Sequence, residues 1–202
     1  MGRRFFCRST IVAAILSAVG CQSLRTGDLL FHFTASDNAI TAATGSTIDH
    51  VAVYIGSDSV IEAIPPRVTT THLDSLIRRS PGYYRAARIH HVDRRQFIRN
   101  VRSLLQRDYD SLYLPDNDAI YCSELVVRSA VDRRGEKLFC QVPMTFRDSS
   151  GHIPPYFTLL YSRHGMKVPE GLDGSNPGEL FARELLSPLD IFLRNEQKNY
   201  KY

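Results

Sequence analysis

The chain has 202 residues, of which 43% are hydrophobic and 23% are charged. This length and composition are typical of one soluble globular domain and argue against disorder along most of the chain. The formal charge of +4 includes Arg3, Arg4 and Arg8, without which it is +1, and no basic face points to nucleic-acid binding. The four cysteines form no C-x-x-C pair, which excludes a zinc ribbon or a thioredoxin-type motif.

The N-terminal segment is predicted to be an export signal followed by a lipid anchor. Three arginines precede an apolar run at 11–19, which is too short to span a bilayer but fits the core of a signal peptide. Ala-Val-Gly-Cys at 18–21 resembles a bacterial lipobox, with alanine in place of the usual leucine. We therefore expect a signal peptide at 1–20, a tether at 21–26 lipidated on Cys21, and a membrane-anchored lipoprotein of the bacterial cell envelope. A plain secretory signal with an incidental Cys21 is the alternative.

The next part of the chain is predicted to consist mainly of strands. Runs of β-branched and apolar residues, closed by Gly, Pro or Ser, indicate a strand, and two neighbouring runs joined by a short turn indicate a hairpin. The predicted strands are 27–33, 50–56, 60–64, 68–71 and 84–92, with short helices at 35–44 and 73–77.

The remainder of the chain is predicted to be more helical. Apolar residues at helical spacing predict helices at 94–107 and 123–134. A third helix is predicted at 187–193, with Ser187 as its cap and Pro188 in its first turn. Loops are expected at 143–155 and 171–178 and a polar tail at 195–202, so that one domain occupies 27–194.

The strongest local feature for chemistry is Cys122, which directly precedes the predicted helix at 123–134. The first backbone N–H groups of a helix have no partner within it, and the helix dipole makes that end positive. Both effects favour thiolate, the nucleophilic form of cysteine, and the same N–H groups can stabilise an oxyanion. A cysteine at a helix start is also common as a small buried residue.

His50 and Glu62 are the residues predicted to assist Cys122. A thiol nucleophile needs a base to take its proton and a third group to orient the base. His50 is the first residue of an apolar strand, where a polar imidazole contributes little to hydrophobic packing. Glu62 lies within the apolar run of the next strand. The intervening turn places Glu62 opposite the first half of the His50 strand, so the two side chains can share a face. The alternative for Glu62 is outward alternation on an exposed strand.

Three segments in order resemble the permuted NlpC-type papain-fold hydrolases, specifically the YiiX/YebB-like group. They are His-Val-Ala-Val-Tyr-Ile-Gly at 50–56, Val-Ile-Glu-Ala at 60–63 and Tyr-Cys-Ser-Glu-Leu at 121–125. Gly-Asp-Leu-Leu at 27–30 also matches the first strand of that group. In ordinary papain-like enzymes the cysteine helix precedes the histidine strand, whereas here the histidine comes first. The resemblance extends from residue 27 to residue 134.

This resemblance implies an α+β, circularly permuted papain-like (NlpC-type) fold, in which a small antiparallel sheet packs on the nucleophile helix. It assigns Cys122 as the nucleophile, His50 as the base and Glu62 as the residue that orients His50. Glutamate departs from the purely polar third residue of many relatives but can equally accept a hydrogen bond from the imidazole. Tyr121, beside the nucleophile, would line the cleft and contact substrate.

The function implied by the resemblance is hydrolysis of an amide or isopeptide bond through an acyl-enzyme, without a cofactor. For an envelope protein the expected substrate is a peptide of the cell wall. Two other functions stay open. One is a lipid-directed acyltransferase or thioesterase of the same fold, which would need an apolar groove beside Cys122 where a wall peptide would need a polar one. The other is a binding module that has kept the fold without catalysis.

Further residues are candidates for the cleft or for a metal site. Tyr109 and Asp110, together with Tyr113, are predicted to line the cleft and contact substrate. His90 and His91, even with His72, do not predict a metal site, because adjacent residues on a strand face opposite ways and no acidic cluster joins them.

Cys140 has no predicted role. A disulfide between Cys122 and Cys140 is compatible with export, but the position of Cys122 at a helix start favours a free thiol.

Overall fold

A six-stranded antiparallel sheet forms the centre of the molecule in the computed structural model, which describes residues 23–79, 81–115 and 117–195. The strands are β1 (Leu29–Thr34), β2 (Ile48–Gly56), β3 (Ser59–Ile64), β4 (Arg67–His72), β5 (Gly82–Ile89), β6 (Val142–Pro143), β7 (Asp173–Gly174) and β8 (Leu186–Arg194). The sheet order is β4-β3-β2-β1-β5-β8, and β6 pairs with β7 separately. The predicted signal peptide, Cys21 and most of the predicted tail lie outside the described residues.

Six helices surround this sheet in the described part of the chain. They are α1 (Ala39–Thr44), α2 (Leu73–Arg79), α3 (Arg94–Ser103), α4 (Cys122–Ser129), α5 (Pro155–Arg163) and α6 (Pro177–Phe181). The predicted helices at 94–107 and 123–134 are therefore present but shorter. The predicted loop at 171–178 also contains β7 and the start of α6.

Alternate residues of the strands belong to two separate hydrophobic clusters. Leu29, Val51 and Ile61 pack with Leu125 of α4 in one cluster, whereas the intervening residues of the same strands pack with Leu76 of α2 in the other. Successive side chains of a strand point to opposite faces of a sheet, so α4 and α2 cover opposite faces. This arrangement confirms the predicted sheet packed on the Cys122 helix.

A third hydrophobic cluster joins α5 to α1. Phe157 and Tyr161 of α5 pack with Ala43 of α1 and with Phe146 of the preceding loop, and the hydroxyl of Tyr161 donates to the carbonyl oxygen of Leu112 at 2.6 Å. This packing holds the segment that follows α4 against α1. No helix was predicted at α5.

The predicted helix at 187–193 is wrong, because this segment is the edge strand β8. It pairs antiparallel with β5, with Pro188 opposite Ala87, and the buried Leu189 packs with Ile191 and Leu193 on the α2 side. These residues alternate with period two, which is strand spacing. Proline is tolerated on an edge strand because its missing N–H need not join the ladder.

Cys122 and Cys140, the two cysteines within the described residues, are both free. None of the helices in the described ranges is long and apolar enough to cross a membrane.

Candidate active site

Cys122 is the first residue of α4, with Tyr121 in extended conformation before it. The side chain is 6% exposed, and the first backbone N–H groups of the helix surround it without partners inside the helix. The helix begins one residue earlier than predicted, so that the cysteine belongs to its first turn. The thiol therefore lies at the positive end of the helix dipole.

His50 and Glu62 are brought together by the β2–β3 hairpin. Val53 pairs with Ile61, and continuing this antiparallel register places Glu62 opposite Ala52, so that Glu62 and His50 are diagonal neighbours on one face. Nε2 of His50 lies 2.7 Å from Oε2 of Glu62. Glu62 is fully buried, which excludes the alternative of a solvent-facing glutamate.

The His50 ring also contacts Cys122, which gives the order Cys122, His50, Glu62. Burial alone would lower the pKa of His50, but hydrogen bonds to Cys122 and Glu62, together with the negative charges of both groups, raise it to about 10. Since Nε2 is engaged by Glu62, Nδ1 is the nitrogen left to face the thiol. The arrangement keeps an imidazolium beside the Cys122 sulfur, and in cysteine hydrolases such a neighbour favours the nucleophilic form of the thiol.

Arg79, the last residue of α2, was not predicted as part of the site. Its guanidinium donates to both oxygens of Glu62, from Nη1 to Oε1 at 2.8 Å and from Nη2 to Oε2 at 2.7 Å. A basic residue in the last turn of a helix ordinarily complements the helix dipole. The sequence pattern therefore gave no reason to connect Arg79 with a glutamate 17 residues earlier.

Three tyrosines lie close to Cys122. The ring of Tyr121 packs edge-on against that of Tyr113, with centroids 5.4 Å apart, and its hydroxyl accepts from the backbone N–H of Ser175 at 3.0 Å. The hydroxyls of Tyr109 and Tyr113 are hydrogen-bonded to each other. Burial, and the nearby charge of Cys122, raise the pKa of both Tyr109 and Tyr113 above the ordinary value, so both phenols stay protonated and can donate hydrogen bonds.

Asp110 is placed differently from the prediction that it contacts substrate. The residue is 4% exposed, and its carboxylate accepts from the backbone N–H groups of Leu112 and Leu114, each at 2.8 Å, and from the side chain of Asn117 at 3.0 Å. A short acidic side chain commonly closes a turn in this way. Asp110 therefore holds the loop that carries Tyr113, and its oxygens are turned into that loop.

An open pocket lies beside Cys122, and its wall is largely apolar. Tyr113 and Tyr121 line it next to the cysteine. The apolar side chains further along the wall are Ile40, Ala43, Met144, Phe146, Phe157 and Pro177. His50 and Glu62 do not line this pocket, so it extends from Cys122 on a side other than that of the base. Tyr109 also lies outside the wall and contributes through its bond to Tyr113.

The histidines considered for metal binding do not converge. His72, His90 and His91 are all exposed, and His90 instead contacts the hydroxyl of Ser187 at 2.6 Å. Within the described ranges, no three His, Cys, Asp or Glu side chains are grouped as metal ligands would be.

Comparison with known proteins gives two matches of different kinds. A family model of the permuted papain-like amidases, YaeF/YiiX, C92 family, matches residues 23–171. A crystal structure described as that of the metalloprotein yiiX from Escherichia coli O157:H7 superposes with a TM-score of 0.67 and 21% sequence identity. That match covers 82% of this chain and 96% of the yiiX chain. At this sequence identity it supports a shared fold and nothing further. No curated protein matches the sequence.

Proposed function

Because the chain belongs to the YaeF/YiiX (C92) family of permuted papain-like cysteine amidases, we propose that Cys122 is its nucleophile, His50 its general base and Glu62 the residue that orients His50. Family membership confirms the predicted fold and the predicted class of amide hydrolase. The observation that carries the assignment of residues is the position of His50 between the Cys122 thiol and the buried Glu62 carboxylate.

The mechanism we infer proceeds through an acyl-enzyme. The Cys122 sulfur attacks the amide carbonyl carbon, the C–N bond breaks, and the departing nitrogen takes the proton of His50. Neutral His50 then removes a proton from water, whose oxygen attacks the thioester carbon. The C–S bond breaks, which releases the acid and returns the sulfur of Cys122 as thiolate, while His50 keeps the proton that it took from water. Glu62 accepts from Nε2 throughout, which keeps Nδ1 directed at the reacting atoms.

Two donors are placed to stabilise the oxyanion. One is the backbone N–H of Cys122 itself, at the start of α4. The other is the hydroxyl of Tyr113, which lines the pocket beside Cys122 and keeps its proton because burial raises its pKa. Donors fixed in advance in a site sheltered from water give large transition-state stabilisation.

The yiiX structure is described as that of a metalloprotein. The described residues of this chain offer no group of three metal-ligating side chains, and the steps proposed above use protein groups and water.

The substrate expected for an envelope hydrolase is a cell-wall peptide, but the pocket supports the second candidate, a lipid-derived acyl compound, more strongly. A wall peptide is polar and would call for a polar groove, whereas the wall beside Cys122 is formed by residues such as Ile40, Phe146 and Phe157. The leaving nitrogen must face His50 to receive its proton. Since His50 does not line the pocket, the pocket is left for the acyl half of the substrate.

Hydrolysis of N-acyl amides is therefore expected to become more efficient as the acyl chain lengthens from two to about eight carbons. Each buried CH2 contributes roughly 0.8 kcal/mol, so kcat/KM should rise by roughly three- to four-fold for each carbon that enters the pocket. The measurement is kcat/KM for a series of acyl-glycine amides beside a muropeptide. The variant Ile40→Trp should remove the dependence on chain length while leaving acetyl substrates unaffected. Faster turnover of the muropeptide than of every acyl amide would contradict the acyl assignment.

We also propose that the mature protein is held at the membrane by lipid on Cys21. Expressed in a bacterial host, the wild-type chain should incorporate labelled palmitate and sediment with membranes, and Cys21→Ser should lose the label. Cys140→Ser is the matched control and should label as the wild type does. A soluble, unlabelled wild-type protein would contradict the anchor.

A further inference from the structure

The carboxylate of Glu62 has two cationic neighbours, one on each side. Oε2 is 2.7 Å from Nε2 of His50 and also 2.7 Å from Nη2 of Arg79, while Oε1 accepts from Nη1 of Arg79 at 2.8 Å. Two parallel N–H···O bonds between a guanidinium and a carboxylate fix the plane and direction of the carboxylate. Arg79 thus determines which edge of Glu62 is presented to His50.

The burial of Glu62 makes this second cation necessary. A carboxylate that is fully buried is costly unless it is paired and hydrogen-bonded. Burial alone would raise the pKa of Glu62. The hydrogen bonds from Arg79 and His50 and the charge of His50 outweigh burial and hold this pKa well below its ordinary range, so the carboxyl stays ionised. In the proposed mechanism His50 is neutral for part of each cycle. During that part Arg79 is the cation that remains beside Glu62.

We propose that Arg79 is a positioning residue of the active site, which holds the Glu62 carboxylate in place and keeps it charged while His50 gives up and regains its proton. This inference rests on the proposed function of His50 as the base. Arg79 touches neither Cys122 nor the pocket wall, and it acts through Glu62. Because the guanidinium is a fixed positive charge close to His50, it also disfavours the imidazolium and so helps His50 to release its proton.

The surroundings of Arg79 support a dedicated role. The side chain is 36% exposed and reaches inward to Glu62, whereas its neighbour Arg78 is 63% exposed and pairs with the exposed Asp74. Tyr84 of β5 also bonds to Arg79. Arg78 therefore provides a matched control on the same helix.

The other titratable groups near the pair are the same in every variant proposed for the test. Cys122 on α4 faces His50. Asp49 of β2 influences Tyr84 and is bonded to His32 of β1 at 2.6 Å.

The test separates the two halves of the reaction with p-nitrophenyl butyrate. The nitrophenolate leaving group needs no proton, so the initial burst reports the attack of Cys122, while the steady rate reports release of the acyl group by water, which needs neutral His50. In Arg79→Met, Glu62 is left with His50 as its cation, and His50 holds its proton more tightly. The burst should stay within about three-fold of the wild type, while the steady rate at pH 7 should fall by about ten-fold or more, as for loss of a hydrogen bond to a charged group. The steady rate should recover towards pH 9, because the acyl-enzyme lacks the free Cys122 side chain that raises the pKa of His50, so that His50 becomes neutral there.

Three further variants complete the test. Arg78→Met should behave as the wild type, and Arg79→Lys, which keeps the charge but not the paired bonds, should lie between the wild type and Arg79→Met. In a Glu62→Gln background, Arg79→Met should no longer slow the steady rate, because a residue that acts through Glu62 has nothing left to act on.

Each other outcome overturns the inference. A steady rate in Arg79→Met equal to that of Arg78→Met would show that Arg79 does not support the base. An equal fall of burst and steady rate, with a lowered thermal midpoint and no recovery at pH 9, would show a purely structural role. If Arg79→Met does not fold, a steady rate in Arg79→Lys equal to the wild-type rate would show that the paired bonds are dispensable. A wild-type protein that releases no nitrophenolate, in a burst or steadily, would instead remove the proposed function itself, and this inference with it.

Discussion

Replacing Cys122 with alanine is expected to abolish amide hydrolysis, with kcat falling by at least about 1,000-fold. The sulfur is the atom proposed to form the thioester. Among the described residues, the other nucleophilic groups that line the pocket are hydroxyls of serine, threonine and tyrosine. An alanine in the first turn of α4 leaves the helix start and its N–H groups unchanged. The measurement is turnover of the best acyl amide, together with the mass of the protein trapped during turnover, which should show an acyl adduct on Cys122 in the wild type.

Cys140 supplies the control for this prediction. It is an exposed free thiol, so Cys140→Ala should keep full turnover and the same adduct. Turnover by Cys122→Ala within ten-fold of the wild type would contradict the nucleophile assignment. A variant that still binds acyl amides tightly, in a protein whose wild type never turns them over, would instead support the binding module.

The part of the site that could be predicted is the part that lies in short, ordered segments of sequence. His50 and Glu62 are 12 residues apart in one hairpin, so the turn and the period of the strands are enough to place them on one face. Cys122 stands at a helix start, which the apolar spacing of the following residues makes visible. Joining Cys122 to the hairpin needed the family resemblance, because no local rule relates a helix to a strand some 70 residues earlier.

Arg79 and the pocket could not be predicted because they depend on how distant segments pack. α2 covers one face of the sheet, and its last residue reaches a glutamate of β3. The pocket combines Ile40 of α1 with Phe157 of α5, elements that are more than 100 residues apart and that neither periodicity nor motif connects. Composition alone therefore left open whether the groove beside Cys122 was polar or apolar.

The error at β8 and that at Asp110 have local causes. Ser187 and Pro188 form a recognised start of a helix, and this signal outweighed the alternation of Leu189, Ile191 and Leu193, which only the pairing with β5 makes decisive. Asp110 is next to Tyr109 in the sequence, but its carboxylate is turned into its own loop. This carboxylate accepts hydrogen bonds from backbone N–H groups two and four residues further along the chain, and such local bonds are typical of short acidic side chains in loops.

Replacing His50 with alanine is expected to slow the alkylation of Cys122 by iodoacetamide at pH 6 by about 10- to 100-fold. A free thiol with a pKa of about 8.5 is only roughly 0.3% thiolate at pH 6, whereas a thiolate paired with an imidazolium is held in the reactive form, although its intrinsic nucleophilicity is lower. Since the pKa of His50 is raised to about 10, the imidazolium persists through the neutral range. The wild-type rate should therefore change little between pH 6 and pH 8.

The pH dependence distinguishes this ion pair from simple exposure of the thiol. In His50→Ala the rate at Cys122 should climb with pH over the same interval, as it does for an ordinary thiol, and the wild type and the variant should converge above pH 9. The alkylation rate of Cys140 is measured in the same digest by the mass of its peptide. It should rise with pH as for an ordinary thiol in both proteins, so it serves as the internal reference for reagent concentration and pH. His91→Ala, which removes an exposed histidine, should match the wild type. If Cys122 and Cys140 show the same rates and the same pH dependence with His50 in place, His50 does not activate the thiol, and the fold is present here without the chemistry proposed for it.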